Sequence, residues 1–144
     1  MPSSHDHNIY FARGIARSEK GDHAGAQSDF TAAIDLGLRD PIVHLLRGAS
    51  RSKLQDWAGA EADFTATLES MQDAGVYALR GTVRFKQKCY GRGLSDFANA
   101  AKQAKAAGKT VDEAAASIDL TQKYKGYTKD RYKAAIQAIY DELK

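Results

Sequence analysis

The side chains that could do covalent or metal chemistry are few and scattered along this sequence. Cys89 is the single cysteine and has no histidine near it in sequence, so we interpret it as an incidental thiol. His5 and His7 lie in a polar leading segment, which lacks the fixed surroundings that a metal site needs. Gly91 and Gly93 come without the third glycine and the preceding strand of a dinucleotide-binding loop. We therefore expect no enzyme activity, no metal and no cofactor.

Arginine and aspartate, by contrast, recur in a fixed pattern. Each copy has two arginines at positions i and i+4, which share one face of a helix, and one later aspartate. We interpret the pattern as an ion pair between two helices, such as Arg17 with Asp29. The alternative interpretation is a row of arginines that binds an acidic ligand. The three sets are Arg13, Arg17 and Asp29; Arg47, Arg51 and Asp63; and Arg80, Arg84 and Asp96.

Glycines repeat with the same period. Gly14, Gly48 and Gly81 follow one another at almost equal intervals along the chain. A glycine inside a helix costs about 1 kcal/mol relative to alanine, so its repetition indicates close packing of a neighbouring helix. We expect small residues on the second helices to lie opposite these glycines and phenylalanines to fill the space between units. The small residues are Ala26, Ala60 and Gly93, and the phenylalanines are Phe30, Phe64 and Phe97.

Each copy predicts two helices joined by a turn. Apolar residues at helical spacing predict helices over residues 42–54, 57–70 and 75–87, and another that ends near residue 106. Pro41 suits the first position of a helix, where no N–H partner is needed. The predicted turns are Gly21-Asp22, Gln55-Asp56 and residues 89–91.

This arrangement resembles the tetratricopeptide repeat family, whose repeating unit has the same period as these glycines. The family's aromatic-x2-Leu-Gly-x2-aromatic part is similar to Tyr10-x2-Arg13-Gly14-x2-Arg17 and to the copies that begin at His44 and Tyr77. Its Ala-x3-Phe part is similar to Ala26-x3-Phe30, Ala60-x3-Phe64 and Gly93-x3-Phe97. Arginine replaces the usual leucine and second aromatic in all three copies, which indicates a subtype.

The resemblance implies an all-α fold, a right-handed superhelical solenoid that forms a single domain over residues 1–144. Its three helix-turn-helix units cover about residues 7–40, 41–73 and 74–107. Residues 108–144 predict a C-terminal helix pair, with helices over 111–124 and 129–143. That pair is either a cap or a degenerate fourth repeat, because terminal repeats need a polar outer face. Tyr132 and Tyr140 are expected in its core.

In the resembled family the first helix of each unit lines a concave binding surface. The register of this sequence therefore implies a peptide-binding groove that is apolar in its middle and basic at its edge. Another interpretation is that the C-terminal helix pair or a second copy covers the same surface. The groove residues implied by register are Asn8, Phe11, Ile15, Ile42, Leu45, Ala49, Lys53, Thr82, Phe85 and Lys86.

Charge and hydropathy limit the classes of partner that we expect this protein to bind. The net charge is +3, and the excess lies in residues 102–144, with nine Lys and Arg against six Asp and Glu. We interpret this excess as a solvated helical face, since nucleic-acid binding usually requires a stronger and more clustered positive field. No apolar stretch approaches the roughly 20 residues that span a bilayer, so we expect no membrane partner. The start carries no signal segment, and we expect a cytoplasmic protein.

These observations favour a protein–protein interaction module, an adaptor or scaffold, which binds a helical or extended peptide in the groove. Some relatives in the family hold the C-terminal carboxylate of heat-shock chaperones, with Lys where this sequence has Phe11, Leu45 and Ala78 and Asn where it has Ile15 and Ala49. That carboxylate clamp is absent here. The alternatives are a small secretion-type chaperone, a self-assembling scaffold and a nucleic-acid accessory protein.

Overall fold

The computed structural model describes residues 4–113, 137, 140 and 141. Residues 4–113 form six helices of more than two turns and their connecting turns, and the described part of the chain holds no strand. The all-α prediction is therefore confirmed. The helices are α1 (Ser4–Glu19), α2 (His23–Asp35), α3 (Pro41–Lys53), α4 (Trp57–Ser70), α5 (Ala74–Lys86) and α6 (Tyr90–Ala106).

The chain divides into two compact units. The first, Met1–Met71, contains α1 to α4, and the second, Gln72–Lys144, contains α5 and α6. Within the first unit α1 packs on α2, α3 packs on both α2 and α4, and α1 also touches α3. In the second unit α5 packs on α6. The prediction of a single domain over residues 1–144 stays a prediction.

The turns between the paired helices share one geometry. Gly21, Gln55 and Lys88 take φ values of 83°, 63° and 63°, which is the left-handed conformation that ends a helix. The next residue donates its N–H back to the helix it leaves, as Asp22 does to the carbonyl of Arg17 at 2.9 Å. The third turn lies at residues 87–89 rather than at the predicted 89–91, and Gly91 belongs to α6.

Aspartates occupy the N-cap positions of α2, α3, α4 and α5. Asp22 and Asp56 accept hydrogen bonds from the N–H groups of Gly25 and Gly59, at 2.9 and 3.0 Å, and so cap α2 and α4. A side chain at either glycine would clash with the capping carboxylate. The third pair has Cys89 at the cap position, with no side-chain cap, and Arg92 in place of the glycine. The two changes belong together, because without a capping carboxylate the glycine is no longer required.

The repeated mid-helix glycines face the phenylalanine of the second helix. A Cβ atom placed on Gly14, Gly48 or Gly81 would lie 2.7, 2.8 or 3.0 Å from the ring of Phe30, Phe64 or Phe97. The predicted close packing of helices is therefore present. Gly93 lies opposite Gly81 as predicted, since a Cβ atom placed on Gly93 would lie 3.1 Å from the Gly81 carbonyl oxygen. Ala26 and Ala60, the predicted counterparts of Gly93, are fully buried. The rings need the space because each is almost completely buried.

Tyr140 lies in the core of the second unit. Its ring is buried with Phe97, Ala100 and Ala104, and its hydroxyl donates to the Lys109 carbonyl at 2.9 Å. Burial raises the pKa of this hydroxyl, and the nearby Glu113 carboxylate raises it further. Tyr140 is thus the core residue that the sequence predicts. Most of the predicted C-terminal helix pair, Tyr132 included, lies outside the described residues.

Thr110 and Glu113 form a reciprocal capping box. The Thr110 hydroxyl accepts from the N–H of Glu113 at 3.2 Å, and the Glu113 carboxylate accepts from the N–H of Thr110 at 3.1 Å. Such a box marks the start of a helix, which agrees with the helix predicted from residue 111.

Candidate functional site

A buried aspartate held by two arginines recurs in all three helix pairs of the described residues. Asp63 accepts from Nε and Nη2 of Arg47 at 3.0 and 2.7 Å, and from Nη1 of Arg51 at 2.9 Å. We call this arrangement the clamp. It joins the first and second helix of a pair across a separation of 12 to 16 residues. The clamp confirms the predicted ion pair, and it uses both arginines rather than one.

The other two pairs carry the same clamp. Asp29 accepts from Nη2 of Arg13 at 2.7 Å and from Nη1 of Arg17 at 3.0 Å. Asp96 accepts from Nη2 of Arg80 at 2.7 Å and from Nη1 of Arg84 at 2.8 Å. In every pair the first arginine donates to the carboxylate from Nε and Nη2. The second arginine donates to it from Nη1.

In each pair, a tyrosine or histidine side chain of the first helix also contacts a member of the clamp. The guanidinium groups of Arg13 and Arg80 lie over the rings of Tyr10 and Tyr77, 5.2 and 5.7 Å from the ring centres. His44 occupies the same repeat position, and its Nδ1 lies 3.4 Å from Oδ1 of Asp63. The sequence indicates only packing for His44, whereas the structure places it against the clamp carboxylate.

In the first helix pair the clamp favours the charged form of Asp29. The hydrogen bond from Arg13 lowers the pKa of Asp29 below its ordinary value, against burial, which acts to raise it. The charges of Arg13 and Arg17 lower it further. Asp29 also raises the pKa of Arg13. The carboxylate is therefore held in its charged form, which suits a structural ion pair rather than a group that exchanges protons at neutral pH.

Asp29→Asn tests this charge state through the pH dependence of stability. Because the folded-state pKa is lowered, Asp29 contributes stability above about pH 4, and that stability is lost as the pH falls through the folded-state value. We expect the free energy of unfolding to fall less steeply with decreasing pH in Asp29→Asn than in the unaltered protein. Urea unfolding between about pH 3 and pH 7, read by the fluorescence of Trp57 in the first unit, measures this.

The control for that comparison is Asp35→Asn, which changes an exposed aspartate at the end of α2. This variant should keep the pH dependence of the unaltered protein. Equal slopes in all three proteins would contradict the assignment of the acid-sensitive stability to Asp29.

The predicted groove residues of the first unit lie on α1 and α3. Phe11 and Ile15 are half-buried and pack against the core that contains Phe30, with the Phe11 and Phe30 ring centres 6.0 Å apart. On α3, Ile42 and Leu45 are half-buried, as is Ala49. The two polar members of the set, Asn8 and Lys53, are exposed. The apolar members thus combine partial exposure with support from the core.

The groove residues predicted in the second unit are placed differently. Phe85 is only 5% exposed and packs on Phe97 in the core, so it is not an exposed edge residue and that prediction is wrong. A Cβ atom on Gly93 would clash with the Phe85 ring, so glycine at this position makes room for it. The other pairs have Ser18 and Ser52 in place of Phe85. Lys86 is exposed, and Thr82 is half-buried with its hydroxyl donating to Ala78 at 2.9 Å.

Ile9 is a surface residue that the sequence reasoning missed. It occupies the repeat position of Val43 and Val76, which are almost completely buried, yet Ile9 is 64% exposed. Val43 is buried because α3 packs on the α1–α2 pair, whose core includes Ala33. In α1 the corresponding face is open, and Arg13 is correspondingly 50% exposed where Arg47 is 14% exposed. Alignment of the repeats could have identified Ile9 as the exposed member.

Metal and membrane sites are absent from the described part of the chain. Among residues 4–113, 137, 140 and 141, no group of three or more His, Cys, Asp or Glu side chains is placed to hold a metal ion. None of α1 to α6 is long and apolar enough to cross a membrane.

Comparisons with known proteins return no relative. No protein-family model, no curated protein and no solved structure matches this chain. The resemblance to the tetratricopeptide repeat family thus remains a prediction from the repeated residues.

Proposed function

We propose that this protein is a protein–protein interaction module, without catalytic activity, that binds a helical or extended segment of a partner. We further propose that its helix pairs are tetratricopeptide-like units stacked as a right-handed solenoid. The observation that carries the proposal is the threefold repetition of the clamp, the left-handed turn and the glycine–phenylalanine contact. Stacked copies of one helix pair form extended surfaces, and repeat proteins use such surfaces to bind other proteins.

The binding surface that we propose is the first-helix face of the first unit. We define it by Phe11 and Ile15 on α1 and by Ile42, Leu45 and Ala49 on α3, two helices that touch each other. These five apolar side chains are all partly exposed. Their backbones are fixed by the clamps of Asp29 and Asp63. A preorganised apolar surface loses little conformational entropy when it binds, which favours affinity.

The chemistry of this face suggests the chemistry of the partner. A helix that presents apolar residues at spacings of three and four would place them against the five side chains. Lys53, exposed at the last residue of α3, adds a positive charge at one end. We therefore expect a partner segment with apolar anchors and an acidic residue near one end.

Leu45→Glu tests the face directly. A peptide selected from a random library for binding to the unaltered protein should lose at least about tenfold in affinity to Leu45→Glu, because a buried apolar anchor would face a charge. The helix content by circular dichroism and the melting temperature should change little, since Leu45 is partly exposed. Isothermal titration calorimetry measures the affinity.

Leu54→Glu is the matched control. Leu54 is 42% exposed and follows α3 as its C-cap, outside the proposed face. We expect this variant to bind the selected peptide as the unaltered protein does. Unchanged binding by Leu45→Glu would contradict the proposed face, and loss of folding in Leu45→Glu would show that Leu45 belongs to the core.

Self-assembly is the second candidate, and the exposure of Ile9 favours it. The α1 face that contains Ile9 corresponds to the α3 face that is buried against α2. A second copy that packs its own α1 there would bury Ile9 as Val43 is buried. The two functions are compatible, because Ile9 is not part of the proposed peptide-binding face.

Light scattering over a hundredfold range of concentration tests self-assembly. If α1 pairs with α1 of a second copy, the mass should rise from 15.7 kDa towards twice that value. Ile9→Glu should then stay at 15.7 kDa, whereas Leu94→Glu, which alters an exposed leucine of the second unit, should behave as the unaltered protein does. A constant 15.7 kDa for the unaltered protein would contradict self-assembly.

A further inference from the structure

One side of α1 is open, whereas the equivalent side of α3 is covered. Ile9 and Ala16 are exposed on α1. The α3 residues that correspond to them, Val43 and Ser50, are almost completely buried. The open side of α1 has four residues at spacings of three, one and three, and we call it the α1 edge. Its residues are Ile9, Ala12, Arg13 and Ala16.

The helix that covers the equivalent side of α3 is α2. One side of α2 and one arginine of α3 line a shared cleft, which identifies the side of α2 that faces α3. Ile34 lies on that side, three residues after Thr31, and packs against the apolar cluster that contains Val43. This side of α3 therefore receives a hydroxyl group and, three residues later, an aliphatic side chain. The residues that line the cleft are Ala24, Gln27, Ser28 and Thr31 of α2 and Arg51 of α3.

A hydrogen bond joins the two helices in one register. Arg47 holds Asp63 with Nε and Nη2 and donates from Nη1 to the Thr31 hydroxyl at 3.3 Å. Arg13 holds Asp29 with the same two nitrogen atoms, but its Nη1 forms no hydrogen bond with any described residue. Half of the Arg13 side chain is exposed, so a partner can reach this donor. The α1 edge thus offers the donor that α3 already uses for Thr31.

We infer that the α1 edge binds a helix of another protein, one that carries a hydroxyl residue followed three residues later by a branched aliphatic residue. The hydroxyl group accepts a hydrogen bond from Nη1 of Arg13, and the aliphatic side chain packs on Ile9. Burial of Ile9 removes apolar surface from water, which favours binding. The inference goes beyond the proposed peptide binding, since the α1 edge contains none of the five residues of the proposed face.

A second copy does not offer a helix of this kind among its described residues. Ile34 already packs against a core cluster of its own chain. The residues that correspond to it on α4 and α6, Leu68 and Ala101, are almost completely buried. The competing occupant of the α1 edge is therefore α1 of a second copy, and its signature is a doubled mass.

A stapled helical peptide designed from α2 tests the inference. This probe carries the α3-facing residues of α2 in their native spacing, with polar residues and the hydrocarbon staple on its other side. The copied residues are Ala24, Gln27, Ser28, Thr31 and Ile34.

Nuclear magnetic resonance measures the binding of the probe to the isotope-labelled full chain, at a concentration where light scattering gives 15.7 kDa. The methyl groups of Ile9, Ala12 and Ala16 and the Nε–H of Arg13 are followed. We expect saturable shifts confined to the α1 edge, with a dissociation constant on the order of 0.1 mM.

Matched changes in the probe and in the protein separate the two contacts. Replacing the threonine of the probe by valine keeps the shape of the side chain and removes the acceptor, so binding should weaken about fivefold. Ile9→Glu should lose at least about tenfold in affinity and keep its helix content, because Ile9 is exposed. Leu94→Glu makes the same change of charge at an exposed leucine of the second unit, and it should bind the probe as the unaltered protein does.

Equal affinity of the threonine and valine probes would overturn the inference, and so would the absence of saturable shifts. Shifts at Phe11 and Leu45 in place of the α1 edge would also overturn it, since they assign the probe to the peptide-binding face. A mass that doubles in the unaltered protein but not in Ile9→Glu would assign the edge to a second copy instead. Failure at the α1 edge leaves the proposed peptide binding standing, because Leu45→Glu tests that face separately.

Discussion

The structure depends on burying one carboxylate in each helix pair. Asp29, Asp63 and Asp96 are at most 2% exposed, and an unpaired carboxylate at such a depth would cost several kcal/mol. Two arginines of the first helix satisfy it in every pair, so the helices of a pair have one register in which the aspartate is paired. That register also brings each mid-helix glycine against the phenylalanine that follows the aspartate. Specificity of packing thus comes from an interaction that contributes little net stability by itself.

Much of this architecture could be predicted because it occurs three times. One Arg-Gly-x2-Arg segment is a weak pattern, but three copies at almost equal intervals single out the positions that packing requires. The helices, the arginine–aspartate pairing and the glycine contacts all follow from that repetition. The first two turns follow as well, at Gly21 and Gln55, whereas the third lies at Lys88, before the predicted residues 89–91.

The features that could not be predicted depend on residue pairs that change together or on the orientation of a side chain. Phe85 has the residue type and the register of a groove residue, but its side chain is buried in the core. It fits there because Gly93 has no side chain that would clash with the ring. The hydrogen bond of Arg51 is likewise invisible in the sequence, since only geometry shows which of its nitrogen atoms reaches Asp63. The same is true of His44, whose contact with Asp63 depends on the orientation of its ring.

The positions of the repeat fall into two groups, one constant and one variable among the copies. The positions of the clamp and its glycine are the same in all copies, whereas Phe11, Leu45 and Ala78 differ at one equivalent position, and Ile15, Ala49 and Thr82 at another. Constant positions fix the backbone, and variable positions give each helix its own surface chemistry. A partner would recognise the protein through the variable positions, because these distinguish one helix pair from the next.

A double-mutant cycle on Arg47 and Asp63 tests the central claim that the clamp sets the pairing of the helices. Arg47→Gln, Asp63→Asn and the double variant are unfolded in urea, with Trp57 fluorescence as the signal from the first unit. We predict that each single variant loses about 3 kcal/mol, and that the double variant loses about 2 kcal/mol less than the sum, because the second change removes a group already left unpaired. Additive losses, or losses below about 0.5 kcal/mol, would show that the pairing of the helices does not depend on the clamp.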